Sequence, residues 1–429
     1  MDNLYRTIFT AIIFTAFRFE PLFTIFPHSI WRAIYLCISL LYLFLNRNVL
    51  DMLFCWKKKY SHFFLAIVIY WLLIGWSLFI ICVRDGEFSY LGYLIVDLWL
   101  QTIKYCFLVV FVYNIFHPKD LISSFLKFFI LSQVINVSIT FLFLIYPEIR
   151  EWYLSLIFLT KTNETLVERL MYISRVGLRG FSGFTETIEC SLGILFGLYL
   201  VSKEEKIGYV GIFILLIGNF FYGRSGLIFS MFSILIYGFI RLKRGALVNL
   251  VLFISVPAIL LYLFSMFSDL NWHFARTFNW AITPFVSLYS SLENGDFSLG
   301  SSADGMFTRM YFMPSDDFTV LMGDGRYLNS DQSFYMHTDV GFMRHMLFYG
   351  IIGEFLLYGC FSMIICSLSS LLRRDESGKM LAYSIFLLVV FFEMKGNPVA
   401  WISGIVIALA LCAKLSSDTL SSLTTVVKK

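Results

Sequence analysis

The stretch HFFLAIVIYWLLIGWSLFIICV, residues 62–83, carries no charged side chain, and its apolar residues run on without alternating with polar ones. At 1.5 Å per residue it makes a helix roughly 33 Å long, enough to cross a hydrocarbon core about 30 Å thick. In lipid each backbone N–H and C=O must be satisfied inside the spanning segment, which a helix does by itself. A barrel strand would instead show period-two alternation, and none is present. Lys57, Lys58 and Lys59 bound the run on one side and Arg84 on the other.

The same reading extends along the chain. Of 429 residues 59% are hydrophobic, 19% aromatic and only 14% charged, with a mean hydropathy of +0.77. A soluble protein carries roughly 25% charged residues. So few charges cannot cover a water-facing surface, which excludes a soluble enzyme, a disordered chain and a nucleic-acid binder. Twelve apolar runs are legible: residues 5–24, 29–45, 62–83, 91–115, 121–146, 187–202, 207–223, 225–241, 247–267, 346–371, 380–394 and 398–414. The expected fold is an all-α polytopic membrane protein, a single transmembrane domain over residues 1–429, with about 12 helices and two larger outer loops, 147–186 and 268–345. No cleavable signal pattern precedes the first run, so that run is expected to stay as a helix. The eight cysteines form no CxxC pair, and most lie inside apolar runs as small hydrophobes.

Charge sets the orientation. With the N-terminus inside, 17 basic residues fall on the cytoplasmic side and 14 outside, four of the latter in the long 268–345 loop, which is a weak topology signal. Both termini are therefore placed inside. The types segregate as well: 11 of the inner cations are Lys, whereas all the outer ones except Lys161 and Lys395 are Arg. Orientation needs only positive charge. Arginine adds a planar fork of donors that grips phosphate bidentately, so an arginine-rich outer face points to a bound phosphate or pyrophosphate. Chance and ordinary loop ion pairs are the plainer account. In the outer loops, Leu166, Leu170 and Ile173 are spaced for an amphipathic surface helix. Trp272, Phe274, Phe278 and Trp280 fit an interfacial aromatic belt, with sugar stacking as the alternative.

Four places could carry chemistry. In the segment Arg175 to Glu186, Arg175 and Arg179 share a face if the chain is helical. Gly177, Gly180 and Gly183 argue for a tight turn, whose exposed N–H groups beside arginine would hold an anion. Glu186 caps the next helix or pairs with an arginine. At Gly223–Arg224–Ser225–Gly226 a lone Arg sits at the tip of a hairpin with almost no loop. Its cost near hydrocarbon, about 2.5–3.5 kcal/mol on insertion scales, points to function, with snorkelling to the headgroups as the alternative, and the flanking glycines would let a ligand approach the backbone. The third place runs from Gly323–Asp324–Gly325–Arg326 to His337, Asp339 and Arg344. His337 suits a base near neutral pH, Asp339 reads as a helix N-cap or as a partner of His337, and Arg344 as an interfacial anchor or anion ligand. His337, Asp339 and His345 match no zinc spacing. The fourth, Asp97 with Lys104, lies seven residues apart on one helix face and is expected to be satisfied by neighbours. No P-loop, GxSxG elbow or DxD-like sugar-nucleotide motif is present, so energy for an outer reaction must come from the substrate.

Arg179–Gly180…Gly183…Glu186, the Gly223–Arg224–Ser225–Gly226 hairpin, and Gly323–Asp324–Gly325…His337–Thr338–Asp339–Val340–Gly341…Gly350–Ile351–Ile352–Gly353, together with the long loop before the tenth run, resemble the O-antigen polymerase family (Wzy) of the polymerase/ligase superfamily. The resemblance implies a GT-C-like fold in the bacterial inner membrane with a periplasmic site. It implies an inverting glycosyltransferase that moves a growing glycan from undecaprenyl pyrophosphate to a lipid-linked repeat unit, with no metal, cofactor or nucleotide sugar. The implied partners are the lipid-linked oligosaccharide, membrane lipids and, as a candidate, a chain-length regulator. Arg224, His337 and Asp339 would be catalytic. Arg175, Arg179, Glu186, Arg309, Arg326 and Arg344 would bind pyrophosphate or glycan. The alternatives are an O-antigen ligase and, in another class, a lipid-oligosaccharide flippase. A flippase should line its spans with cations, whereas the charges singled out inside spans are Asp97, Lys104 and, near a cytoplasmic end, Lys127.

Overall fold

In the computed structural model, residues 62–83 lie within the 24-residue helix α3 (Ser61–Arg84). The structure describes residues 2–47, 61–158, 175–181, 183–241, 306–329 and 333–426, with a few single positions between 255 and 293. The expected span at 247–267, the surface helix at Leu166–Ile173 and the Trp272–Trp280 belt lie outside the described residues. The fold is all-α and polytopic. Among the described residues seven helices are long and apolar enough to cross a membrane, and Lys206–Tyr222 and Arg224–Tyr237 are shorter apolar helices.

The chain divides into two compact units, one of Met1–Leu41 and Phe111–Val286, the other of Tyr42–Val110 and Ser287–Lys429. The boundary falls within α2 (His28–Leu45) and α4 (Ser89–Phe116). The first unit is built from α1 (Asp2–Phe19), α5 (Leu121–Ile145), the short α6 (Pro147–Leu156), the two-stranded β1 (Val176–Gly177) and β2 (Gly180–Phe181), α7 (Gly183–Ser202), α8 (Lys206–Tyr222) and α9 (Arg224–Arg241). Helix α5 starts at Asp120, whose carboxylate accepts from the Ser123 backbone N–H (3.1 Å) and hydroxyl (2.6 Å) and so satisfies donors the helix leaves open. Helix α7 lies at its centre, packed against α5, α8 and α9 and buried over nearly its whole length.

The second unit packs α3, α12 (Glu376–Glu393) and α13 (Val399–Val426) around α11 (Gly341–Leu371). Helix α10 (Asp317–Met322) also docks on α11. The expected tenth span began at residue 346; the helix begins five residues earlier, taking Arg344 and His345 into it. It is broken at Tyr349 and at Gly350, where φ is 66° and ψ is −177°. The Gly323–Asp324–Gly325 loop seats in this break: the Asp324 N–H donates to the Leu347 carbonyl (2.7 Å), and the Gly325 N–H to the Phe348 carbonyl (2.8 Å). The Trp76 indole N–H donates to the Tyr349 carbonyl (2.9 Å). Backbone freed by the break is thus satisfied by protein, the condition under which a helix can be interrupted at membrane depth.

Gly350 occupies a backbone region open essentially to glycine alone, and a Cβ there would run into the Leu321 carbonyl. Gly350→Ala is expected to cost about 1–3 kcal/mol from backbone strain alone. The reading is the unfolding midpoint of the detergent-solubilised protein; an Ala variant as stable as the parent would show that the break is dispensable.

Candidate functional site

The nine sequence-predicted site residues divide between the units: Arg175, Arg179, Glu186 and Arg224 in the first, Arg309, Arg326, His337, Asp339 and Arg344 in the second. In the first unit they gather where α1, α8 end and α7, α9 begin. The 175–186 segment is not helical. Val176 pairs with Phe181 and Gly177 with Gly180, so Leu178 and Arg179 form the tip of a tight hairpin. Gly180, just after the tip, takes a positive φ (77°), the left-handed region that favours glycine. Arg175 therefore shares no helix face with Arg179; its side chain passes over Gly183. The Leu178 N–H, expected to be open for an anion, donates to Asn136 Oδ1 (2.8 Å).

Arg179 is held by carboxylates. Its Nη1 lies 2.7 Å from Glu189 Oε1 and 3.4 Å from Glu186 Oε1, and its Nη2 donates to the Arg18 carbonyl (2.7 Å). Glu189 turns its other oxygen to Arg18 Nη2 at 2.7 Å. Arg18 is wholly buried, and it donates further to the Phe129 carbonyl (2.6 Å), Ser132 Oγ (2.7 Å) and Gln133 Oε1 (2.6 Å), with its guanidinium 3.5 Å above the Phe129 ring. Glu186 Oε2 accepts from Asn136 Nδ2 (2.8 Å) and Gln133 Nε2 (3.1 Å). Asn136 and Thr140 reach the Tyr222 hydroxyl, fastening the end of α8 to the same seam. Two arginines and two glutamates thus offset one another, and the Arg179 side chain, 21% exposed, is the member that reaches the surface.

Arg224 opens α9 after a single residue, Gly223, and is half-buried. The expectation that its flanking glycines make room for a ligand is corrected. A Cβ on Gly223 would meet Thr187 Oγ1, and one on Gly226 would meet Asn219 Oδ1 and Thr187 Cγ2. These glycines let α9 close on α7 and α8, the usual role of small residues between membrane helices.

In the second unit the surroundings of Arg344 are rich in aromatics. Arg344 was expected at the interface or on an anion; it is 7% exposed, with its guanidinium 4.3 Å from the Tyr327 ring and 3.7 Å from the Phe334 ring. Tyr327 stacks in turn on Tyr90 at 4.2 Å, and its hydroxyl accepts from Asn397 Nδ2. The cation is held by ring faces, which attract it through their quadrupoles. Arg309 and Arg326 are exposed. His337 is exposed with a positive φ of 54°, and its Nδ1 faces Ser333 Oγ at 3.4 Å. Asp339 forms no hydrogen bond to His337 among the described residues. Nor does it cap α11: the cap position is Val340, whose N–H is met by Thr338 Oγ1 at 3.3 Å. The carboxyl of Asp339 is raised by partial desolvation, which Lys395 opposes.

Sequence reasoning weighed His345 only as a metal ligand and missed its partners. His345 is fully buried, with Nε2 3.1 Å from Glu393 Oε2, and Nδ1 2.6 Å from the Tyr90 hydroxyl and 3.3 Å from that of Tyr349. Glu393 Oε1 accepts the Val399 N–H at the start of α13 (3.0 Å), and Gly341 at the start of α11 lies against Oε2. Glu393 thus ties two helix N-termini together, and the imidazole is fixed between its carboxyl group and the two tyrosine hydroxyls. Among the described residues no group of three His, Cys, Asp or Glu side chains could hold a metal. Arg84, at the end of the 62–83 run, was given no partner by the sequence: its Nη2 reaches Asp316 (2.9 Å) and Asp324 (3.3 Å), and the contact with Asp316, together with the Thr319 hydroxyl, holds Asp316 below the usual carboxylate range.

The charges within helices are more than Asp97, Lys104 and Lys127. Lys127 pairs with Glu205 at 2.7 Å, and Lys104 is buried with its ammonium 5.5 Å from the Tyr105 ring. Arg18 and Glu189 lie inside α1 and α7 and face each other. Both were visible in the sequence, Arg18 as a cation inside an apolar run and Glu189 three residues after Glu186, one helix turn on. The chain matches no protein-family model, no curated protein and no solved structure.

Proposed function

We propose that the protein is an O-antigen polymerase of the bacterial inner membrane, a metal-independent inverting glycosyltransferase. It transfers a growing glycan from undecaprenyl pyrophosphate to a lipid-linked repeat unit at the periplasmic face. The proposal includes twelve GT-C-like spans and cytoplasmic termini. The observation that carries it is the gathering of Arg175, Arg179, Glu186 and Arg224 at one helix end of the first unit, around a turn held rigid by buried carboxylates. Displacing a pyrophosphate requires cations near the leaving oxygens, and preset guanidinium groups supply them at no reorganisation cost. Glu186 and Glu189 offset Arg18 and Arg179, and Arg224, at the start of α9, takes the leading role. Arg179 supports it from the turn. In the second unit, exposed His337 is the base for the acceptor hydroxyl, and Asp339 orients that hydroxyl rather than the imidazole. Arg309 and Arg326 are the glycan-facing cations, and Arg344 backs the aromatic wall.

The deciding experiment is a lipopolysaccharide gel from a strain lacking the gene. Core carrying one repeat unit, with no ladder, is expected. Bare core with polymer held on the lipid carrier would mean a ligase, and bare core without outer-leaflet repeat units a flippase. An unchanged ladder would reject all three.

A further inference from the structure

Helix α6 is ten residues long, about 15 Å, too short to span a bilayer. It begins one residue after the spanning helix α5, with Pro147 at its first turn. With about 100° between successive residues its side chains fall into three stripes. Arg150, Leu154 and Ile157 are buried, with Tyr153 beside them. Glu148, Glu151 and Ser155 are exposed and polar. Ile149, Trp152 and Leu156 are exposed and apolar, Trp152 by 62%.

A helix wholly in water would not present the third stripe, and a helix sunk in hydrocarbon would not present the second. We infer that α6 lies flat in the membrane interface, its Ile149–Trp152–Leu156 stripe seated at the boundary between lipid headgroups and acyl chains and its Glu148–Glu151–Ser155 stripe in water. The occupant of the apolar stripe is lipid, because the helix continues directly from a span and so starts at the membrane boundary. An amphipathic helix with an aromatic anchor binds such a boundary through buried apolar area.

The ledge is fastened to the rest of the unit. The Thr24 N–H donates to the Leu156 carbonyl (2.8 Å), the Phe158 N–H to the Leu22 carbonyl (2.7 Å), and Phe23 bridges to Ile157. The Tyr153 hydroxyl donates to the Leu178 carbonyl (2.6 Å), at the tip that carries Arg179. Lipid docking of α6 therefore fixes the depth of that turn in the membrane. The inference stands independently of the polymerase reading.

The test uses the full chain in nanodiscs containing phospholipid brominated either near the headgroup end or near the end of its acyl chains. Subtracting the fluorescence of Trp152→Phe from that of the parent isolates Trp152. Its signal is expected to lose most of its intensity with the shallow bromines, less with the deep ones, and little with aqueous iodide. Leu156→Trp adds a reporter to the same stripe and should behave alike, whereas Ser155→Trp should be quenched by iodide. Iodide quenching of Trp152 and Leu156→Trp, or quenching by neither agent together with a cross-linked second copy, would overturn the proposal.

Discussion

Arg224→Ala is expected to fold and insert like the parent and to abolish long polymer. The close packing at the start of α9 is made by Gly223 and Gly226 against Thr187 and Asn219. The cation is instead required where a pyrophosphate would gather charge as it leaves. Removing one such preset donor typically slows chemistry about 100–1,000-fold. Arg224→Lys should also be impaired, because an ammonium cannot make the two parallel contacts of a guanidinium. His337→Ala should likewise lose polymer. Ladder length on a gel, at matched protein abundance in the membrane, reads the outcome. Normal long polymer from both alanine variants would reject the site, and a fully active lysine variant would leave point charge as the only requirement.

Arg18→Ala is expected to act on the fold. Arg18 is buried with Glu189 Oε2 at 2.7 Å, and its loss would also strip donors from the Phe129 carbonyl, Ser132 and Gln133. Removing one partner of a buried ion pair costs about 3–5 kcal/mol, because the remaining charge stays desolvated. Arg179 still holds Glu189 through Oε1, which places the cost at the lower end of that range. Pairing Arg18→Met with Glu189→Gln should recover much of the loss, since it removes the stranded charge while keeping similar volume. Unfolding midpoints of the purified proteins give the comparison. An Arg18→Ala protein as stable as the parent would show that the seam is not stabilised by this pair. Polymer output measured on the same variants separates this role from chemistry: the double variant should be stable, yet it should hold the Arg179 turn less firmly.

The helices were legible because lipid removes every alternative. An apolar run such as 62–83 must satisfy its own backbone, and only a helix does so locally. The charges were legible as a set for a similar reason, since the segregation of arginine from lysine among the segments between apolar runs is a property of the list of residues. The meaning of each charge was not. The turn at Arg179 and the seam beneath it join Arg18 to Glu189 across 171 positions, and no local pattern carries a contact of that span. The late start assigned to the tenth span has the same origin. Arg344 and His345 are too polar for an apolar run, so the sequence places them in a loop. The helix takes them in because Tyr327 and Phe334 cover the guanidinium, while Tyr90 and Glu393 satisfy the imidazole. The sequence by itself determined that this chain is a helical, multi-pass membrane protein and which apolar runs become its long helices. Tertiary structure alone decided how Arg18 and Arg179 are neutralised within the fold, because a buried charge is tolerated only where distant segments bring it a partner.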